Sequence, residues 1–428
     1  MVIDDLAHCL NAKQREICLS QDNYLIMACP GSGKTRTLTY RLAYIADKYK
    51  ESEKYNIAIT YTNRAANEIE NRLLEMDVET DNVWTGTIHQ FCMKFIIRPY
   101  AMYSERLKKG YTIIDEYIAD SYGREIAKEL GIECNFYDNP LEYPEVKQEY
   151  EKWLEEKKEI DFEQILILSE ELVCKNKFIA ENISKIIRSI QVDEFQDTSN
   201  IRFNLINKIR DISNATLFCV GDDYQSIYHF SGCNLNIFLN FTKLIPNSTI
   251  LKLKYTYRNS EELINISSKF VMKNKSQINK ELISNKHIDK PVEFIYYINP
   301  KKSFNKIYKS LLNKGSLLVL GRNNFDINKF SDGNIPEFMS VHASKGLESD
   351  NVMLINMTDD MYGFPNKIVN SKLIEELHPS DKTYIYAEER RLFYVALTRT
   401  KNKVYILVPL FKRSIFIKEI KNLTKAIL

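Results

Sequence analysis

No apolar run in the sequence approaches the roughly 18 residues that a membrane span needs, so nothing in it reads as a transmembrane helix. Residues 1–20 are polar and carry Asp4, Asp5 and His8, which is not the pattern of a signal peptide. Eight cysteines are present, but none stands in a C-x-x-C pair and no paired histidines accompany them. They read as reduced core thiols of a cytoplasmic protein rather than as zinc ligands or disulfides. An excess of one charge is lacking too. With 59 Lys+Arg against 57 Asp+Glu, net charge neither supports nor excludes a nucleic-acid partner. Internal repeats and low-complexity segments are also missing.

What is present fits a soluble chain able to build a core: 44% hydrophobic and 27% charged residues over 428 positions. At roughly 100–200 residues per domain, two to four domains are expected. Short apolar runs alternate with helical patterns. "NYLIMA" (23–28), "NIAITYT" (56–62), "IIRSIQVDE" (186–194) and "ATLFCVGD" (215–222) read as buried strands. "TRTLTYRLAYIA" (35–46) and "NRAANEIENRLLE" (63–75) have helical spacing. Such alternation predicts parallel sheets with crossover helices. Residues 98–158 are rich in Tyr and Glu and mostly helical in pattern, as expected of an inserted subdomain. A second sheet region is predicted to begin near "STILKLKYTYR" (248–258). It continues through "GSLLVLGRN" (315–323), "FMSVH" (338–342), "NVMLINM" (351–357) and "KVYILVP" (403–409). After Arg399 the chain carries Lys401, Lys403, Lys412, Arg413, Lys418, Lys421 and Lys425 against one acid, Glu419. This end is either a surface for a phosphate backbone or a solvated helix face.

Three strand-to-loop passages carry chemistry. "MACPGSGKTR" (27–36) approximates the phosphate-loop pattern G-x-x-x-x-G-K-[ST], with Ala28 in place of the first glycine and Pro30 inside the loop. A strand leads into a turn and a helix N-terminus, whose free amides and positive dipole end suit phosphate. Gly31 and Gly33 allow the tight curl. Lys34 can reach the terminal phosphates, and the Thr35 hydroxyl can bind Mg²⁺. A chance G-x-G-K-T would look the same in isolation. "VDEFQDTS" (192–199), however, ends an apolar strand with paired carboxylates. Asp193 is the candidate metal residue opposite Thr35, and Glu194 the candidate base for an attacking water. In "VGDDYQSIYHFSG" (220–232), Gln225 stands where a polar side chain could sense the γ-phosphate. Tyr228 and Phe230 offer flat faces for the bases of a single strand, although loop aromatics are more often core residues.

Taken in order, these motifs resemble the UvrD/Rep/PcrA family of superfamily 1 helicases over nearly the full length. "LNAKQREIC" (10–18) is similar to the family's adenine-reading motif, with Gln14 in the contact position. "ACPGSGKTR" is similar to the family's own phosphate loop, which usually begins with Ala. "AITYTNRAANEI" (58–69) and "GTIHQFC" (86–92) resemble its first DNA-contacting motifs. "IDFEQIL" resembles the point where the chain returns from the first insertion. "KYTYRN" (254–259), "VHASKGLESDNVML" (341–354) and "EERRLFYVALTRTKNKVYI" (388–406) complete the series.

The resemblance implies an α/β fold of two RecA-like P-loop motor domains with parallel sheets, plus a small helical insertion in the first. The first motor domain would comprise 1–97 and 159–249, the insertion 98–158, and the second motor domain 250–428. It implies ATP contacts at Gln14, Ala28, Gly31, Ser32, Gly33, Lys34, Thr35, Arg36, Tyr257, Arg258, Glu348 and Arg399. Catalytic work falls to Lys34, Glu194, Gln225, Arg258 and the arginine finger Arg399, with Mg²⁺ held at Thr35 and Asp193. DNA contacts fall to Tyr61, Asn63, Thr87, His89, Tyr228, Phe230 and His342.

The implied activity is ATP-dependent translocation along single-stranded DNA, 3′-to-5′, and unwinding of tailed duplexes, in repair, replication support or antiphage defence. The alternative is an ATP-dependent sensor of DNA ends or nucleotides that controls a partner nuclease with little unwinding. The sequence departs from the family at Phe230, which is usually Trp, and at Ser231, which is usually Arg. The largest departure is the span from Asn324 to Phe338, where relatives carry a large insertion. A protein partner is the expected substitute. Small helicases of this family also occur beside nucleases in defence systems such as Gabija, a role with which the compact build is compatible.

Overall fold

The computed structural model describes residues 10–134, 138–228, 232–274, 277–367 and 384–427. Phe230 and Ser231 lie outside the described residues. The described strands are β1 (Asn23–Met27), β2 (Tyr55–Thr60), β3 (Val83–Thr87), β4 (Thr112–Ile113), β5 (Glu159–Ile160), β6 (Ile187–Val192) and β7 (Thr216–Gly221). They continue with β8 (Ser248–Lys252), β9 (Val292–Tyr297), β10 (Leu317–Gly321), β11 (Phe338–Ser340), β12 (Ser349–Leu354) and β13 (Thr400–Pro409).

Two parallel sheets result, in the orders β3-β2-β6-β7-β1-β8 and β11-β10-β12-β13-β9. The near-continuous apolar runs follow from burial on both faces. In the first sheet, Leu25, Met27, Leu217 and Cys219 enter one core, while Ile26, Phe218 and Val220 enter the other. In the second sheet, Val352, Leu354, Val404 and Ile406 face one core; Met353, Ile355, Tyr405 and Leu407 face the opposite one. Alternate residues of a strand point to opposite faces, so each run feeds two layers of helices.

One strand departs from expectation. "STILK" was expected to open the second sheet, but β8 pairs in parallel with β1 and forms the edge of the first, with Tyr24 opposite Thr249 and Leu25 opposite Ile250. The second sheet's first strand is instead β9, which pairs with β13. The insertion region holds two long helices, Glu116–Glu129 and Pro144–Lys157, around a small core of its own that includes Ile126, Val146, Tyr150 and Leu154. It also has a short parallel β4–β5 pairing at its base that its helical pattern did not suggest.

The sheet directions place the chemistry. Ala28, Tyr61, Asp193 and Asp222 each follow the C-terminal end of a first-sheet strand, the edge where parallel α/β sheets bind ligands. The second sheet presents both its ends. Glu348 and Arg399 immediately precede β12 and β13, whereas Arg322 and His342 follow β10 and β11. One edge can therefore serve a nucleotide and the other a different ligand.

Candidate nucleotide and nucleic-acid site

The phosphate loop leaves β1 at Ala28, whose backbone N–H donates to the Gly221 carbonyl at 2.9 Å. Gly31 (φ 73°) and Gly33 (φ 81°) occupy the left-handed region. At Gly31 a Cβ would also sit 2.4 Å from Arg258 Cβ, so both conformation and space require glycine. The buried Ser32 closes the loop, its N–H donating to the Cys29 carbonyl at 3.1 Å and its hydroxyl accepting from Cys29 N–H at 3.3 Å. Gln14 is buried and holds the loop from behind: its amide donates to the Ser32 carbonyl (3.3 Å) and to Thr37 Oγ1 (3.1 Å). Arg36 is exposed on the first helical turn, with its guanidinium 5.7 Å from the Tyr40 ring centroid.

Opposite the loop, β6 ends in Asp193 and Glu194. Glu194 adopts a left-handed backbone (φ 50°), rare for a residue with a Cβ and costing about 1–3 kcal/mol. That turn aims the two consecutive carboxylates at consecutive loop residues. Thr35 Oγ1 donates to Asp193 Oδ2 at 3.1 Å, and Lys34 Nζ lies 3.1 Å from Glu194 Oε2. Burial, followed by the charge of Glu194, raises the Asp193 carboxyl above its ordinary range. Burial works the same way on Glu194, but there Lys34 and then Lys345 outweigh it and hold the carboxyl low. Gln196 braces the pair, donating to Glu194 Oε2 at 2.6 Å and accepting from Asp222 N–H at 2.9 Å.

A buried carboxylate beside a threonine hydroxyl fits a Mg²⁺ that takes one or two protein ligands and completes its shell with phosphate and water. Among the described residues no cluster of three or more His, Cys, Asp or Glu could hold a metal unaided. A metal shared with phosphates is the arrangement these residues suit.

Residues beside the second sheet close over this surface. Gln225 Nε2 donates to Asp222 Oδ2 (2.6 Å), and Gln225 Oε1 accepts from Arg399 Nη2 (2.9 Å). The buried Arg399 also donates to the Val395 and Leu347 carbonyls. Burial and the neighbouring Arg258 together lower it to about 9. Arg258 pairs with Glu348 at 2.8 Å and donates to the Thr398 carbonyl. Tyr257 N–H donates to the Gly31 carbonyl (2.9 Å), while its ring is 67% exposed and open to a planar ligand.

A cleft of about 3440 Å³ runs beside this centre, lined among others by Tyr61, Asn63, Thr87, His89 and His342. Tyr61 and Tyr228 stack on each other, ring centroids 5.1 Å apart and 14° from parallel. The Tyr228 hydroxyl donates to the His342 carbonyl at 3.3 Å. Burial, then Arg202, pushes His89 down to about 4; burial, then Arg322 and Lys345, pushes His342 down to about 3. Lys345 joins the two regions. Its ammonium lies 4.9 Å from the Tyr228 ring, 3.0 Å from the Gln225 carbonyl and 4.0 Å from Glu194, and it pairs with Asp197.

Residues 10–134 and 135–246 match the UvrD/REP helicase N-terminal domain, and residues 324–409 match the UvrD-like helicase C-terminal domain. The first match alone covers more than half of the chain. The chain belongs to the UvrD/Rep helicase family. It is similar to the ATP-dependent DNA helicase PcrA of Leuconostoc citreum, with 28% identity over 314 residues (66% of this chain, 41% of the relative). A probable DNA helicase II homolog of Mycoplasma capricolum is 28% identical over 326 residues (68% and 45%). The PcrA of Bacillus subtilis is 27% identical over 319 residues (67% and 42%). The chain thus spans less than half the length of these UvrD/Rep relatives.

As in the rest of the UvrD/Rep family, the two parallel sheets are RecA-like motor folds. The structure brings the candidate ATP residues of both motor halves around one centre, with the Tyr61–Tyr228 pair alongside. Three residues that touch this centre were not singled out from the sequence: Gln196, Lys345 and Lys280. Gln196 and Lys345 lie inside quoted motifs and were legible there as polar residues beside named ones. Of the described cysteines, Cys18, Cys29, Cys92, Cys219 and Cys233 are buried as expected, but Cys174 is exposed and Cys134 only half-buried. In the basic C-terminal stretch, the helix Ile415–Ile427 buries Phe416, Ile417 and Ile420 and leaves Lys418, Lys421 and Lys425 exposed, which fits either a solvated face or a surface for phosphate. No described helix is long and apolar enough to cross a membrane.

Proposed function

We propose that this protein is an ATP-hydrolysing DNA motor that moves along single-stranded DNA, 3′-to-5′, and displaces the strand of a tailed duplex in the cytoplasm. The observation that carries this reading is the bond between Gln225, on the phosphate-loop half, and Arg399, on the other half. It supports the reading because Arg399, beside the second sheet, donates to a glutamine that follows a strand of the phosphate-loop sheet.

In this reading Lys34 and the loop amides bind the phosphates, and Glu194 takes a proton from the attacking water. Thr35 and Asp193 would hold a Mg²⁺, which when bound would supply charge neutralisation for the phosphates. Arg258 and Arg399 add positive charge where negative charge develops, which requires both domains to be closed. The geometry also supports an exchange of partners. Lys34 now pairs with Glu194, and Arg399 with Gln225. Bound ATP would draw both cations to phosphate, freeing Glu194 for water. Lys345 provides a route by which occupancy of the Tyr61–Tyr228 stack reaches Glu194. A base inserted between the rings moves Tyr228, and Lys345 lies against it.

A second reading is favoured by the span between β10 and β11, where residues 322–337 join adjacent parallel strands without a further domain. The protein would then act as an ATP-dependent sensor of DNA ends or nucleotides, and a partner such as a nuclease would supply grip or effector chemistry. Strand displacement on a 3′-tailed duplex, with and without ATP, separates the two. ATP-dependent displacement by the purified protein supports the motor; ATP turnover stimulated by DNA without displacement supports the sensor.

A further inference from the structure

Lys280 lies in the segment that returns from the helix Glu261–Val271 toward β9. Its side chain is only 4% exposed, although it belongs to no motif in the sequence. Its ammonium donates to the Ala28 carbonyl at 3.2 Å and to Asp222 Oδ1 at 2.5 Å, and it forms an ion pair with Asp223 Oδ1 at 2.5 Å. The Tyr224 ring lies 4.2 Å away. The same segment is fastened two residues before the lysine, at Ile278. Ile278 N–H donates to Asp223 Oδ2 (3.0 Å), and the Tyr224 hydroxyl donates to the Ile278 carbonyl (2.8 Å). Burial opposes the ammonium's charge, but Asp222 and Asp223 outweigh it and raise its pKa above the ordinary lysine value.

The partners of Lys280 matter more than its burial. Ala28 is the residue at which β1 passes into the phosphate loop. Asp222 accepts Gln225 Nε2 on its second oxygen, and Gln225 in turn presents Oε1 to Arg399. This chain has one chemical sense. A carboxylate only accepts and a guanidinium only donates, so the Gln225 amide must point nitrogen to Asp222 and oxygen to Arg399. Rotating Asp222 would release Gln225 and leave its amide free to turn over.

We infer that Lys280 is a positioning residue for ATP hydrolysis: acting through Asp222, it fixes the orientation of Gln225 relative to the phosphate loop and to Arg399. When Arg399 leaves Gln225 for a phosphate, the Lys280–Asp222 bond keeps the other end of the amide in place. This inference rests on the ATPase reading of the same site.

The test measures ATP turnover with saturating single-stranded DNA in four proteins, alongside melting temperature and affinity for a fluorescent ADP. Lys280→Met/Asp223→Asn removes the lysine together with one carboxylate, so fewer buried charges are left unpaired. Asp222→Asn leaves Lys280 with Ala28 and Asp223. Lys280→Arg keeps the charge. The double variant and Asp222→Asn are expected to lose about 10- to 100-fold in kcat, the scale of a misplaced catalytic group. KM for ATP and ADP affinity should stay near wild type, and Lys280→Arg should recover most of the turnover.

Turnover by Asp222→Asn within twofold of wild type overturns the proposal, even if the double variant does not fold. It is equally overturned if kcat falls only in proportion to lost folded protein or lost nucleotide affinity, with no recovery in Lys280→Arg. Absence of DNA-stimulated turnover in the wild type would instead refute the ATPase reading itself.

Discussion

Glu194 illustrates how much a single backbone angle can do. Its left-handed φ of 50° lets adjacent carboxylates serve different partners, Asp193 toward Thr35 and Glu194 toward Lys34. If Glu194 is the base, Glu194→Gln should bind ATP with near wild-type affinity and hydrolyse it roughly 100- to 10,000-fold more slowly. A nucleotide-binding titration read beside a phosphate-release assay checks both halves.

The histidines predict a pH dependence of stability. His89 and His342 sit in the folded protein below their ordinary value of 6.5, so in the window between the two values the unfolded chain binds more protons. Stability is therefore full above about pH 7 and falls as pH drops through about 6 toward 4. Thermal melts across that range should show the loss, and His89→Gln should flatten it. A melting temperature independent of pH there would contradict the burial of these rings.

At the scale of elements, the phosphate loop meets the Thr256–Arg258 turn through two hydrogen bonds. Thr256 Oγ1 donates to the Pro30 carbonyl at 2.7 Å, and Tyr257 N–H donates to the Gly31 carbonyl. Gly31→Ala should strain the loop by about 1–3 kcal/mol and push this turn away, so turnover should fall with little change in the rest of the fold. Circular dichroism melts and ATP turnover, measured together, check this.

Elements also show what was legible in the sequence. The strands around the phosphate loop were readable because their apolar runs are local and their loops carry distinctive chemistry. β8 was misassigned because an apolar run does not say which sheet it joins; its partner β1 is over 200 positions away. Lys280 was invisible for the same reason. A lone lysine in a polar stretch has no local signature, and its partners Ala28 and Asp222 are 252 and 58 positions distant. The Tyr61–Tyr228 stack is half legible: both rings lie in motifs that read as base contacts, but their pairing is a matter of fold.

For the whole molecule, the proposed reading is of two RecA-like halves that share one nucleotide centre, beside a cleft of about 3440 Å³ that would serve as the channel for a single strand. Binding in that channel through phosphate contacts releases counterions. Affinity for single-stranded DNA should therefore fall linearly on a log–log plot against salt, by about 0.7 log units per log unit of salt for each phosphate neutralised. Fluorescence anisotropy over a salt series measures the slope, and a flat plot would argue against a phosphate-tracking channel. The most direct test of the central claim is ATP turnover by the purified protein with and without single-stranded DNA, in wild type and Lys34→Ala. The account predicts turnover that DNA stimulates and that Lys34→Ala abolishes; turnover indifferent to DNA, or retained in Lys34→Ala, would contradict it.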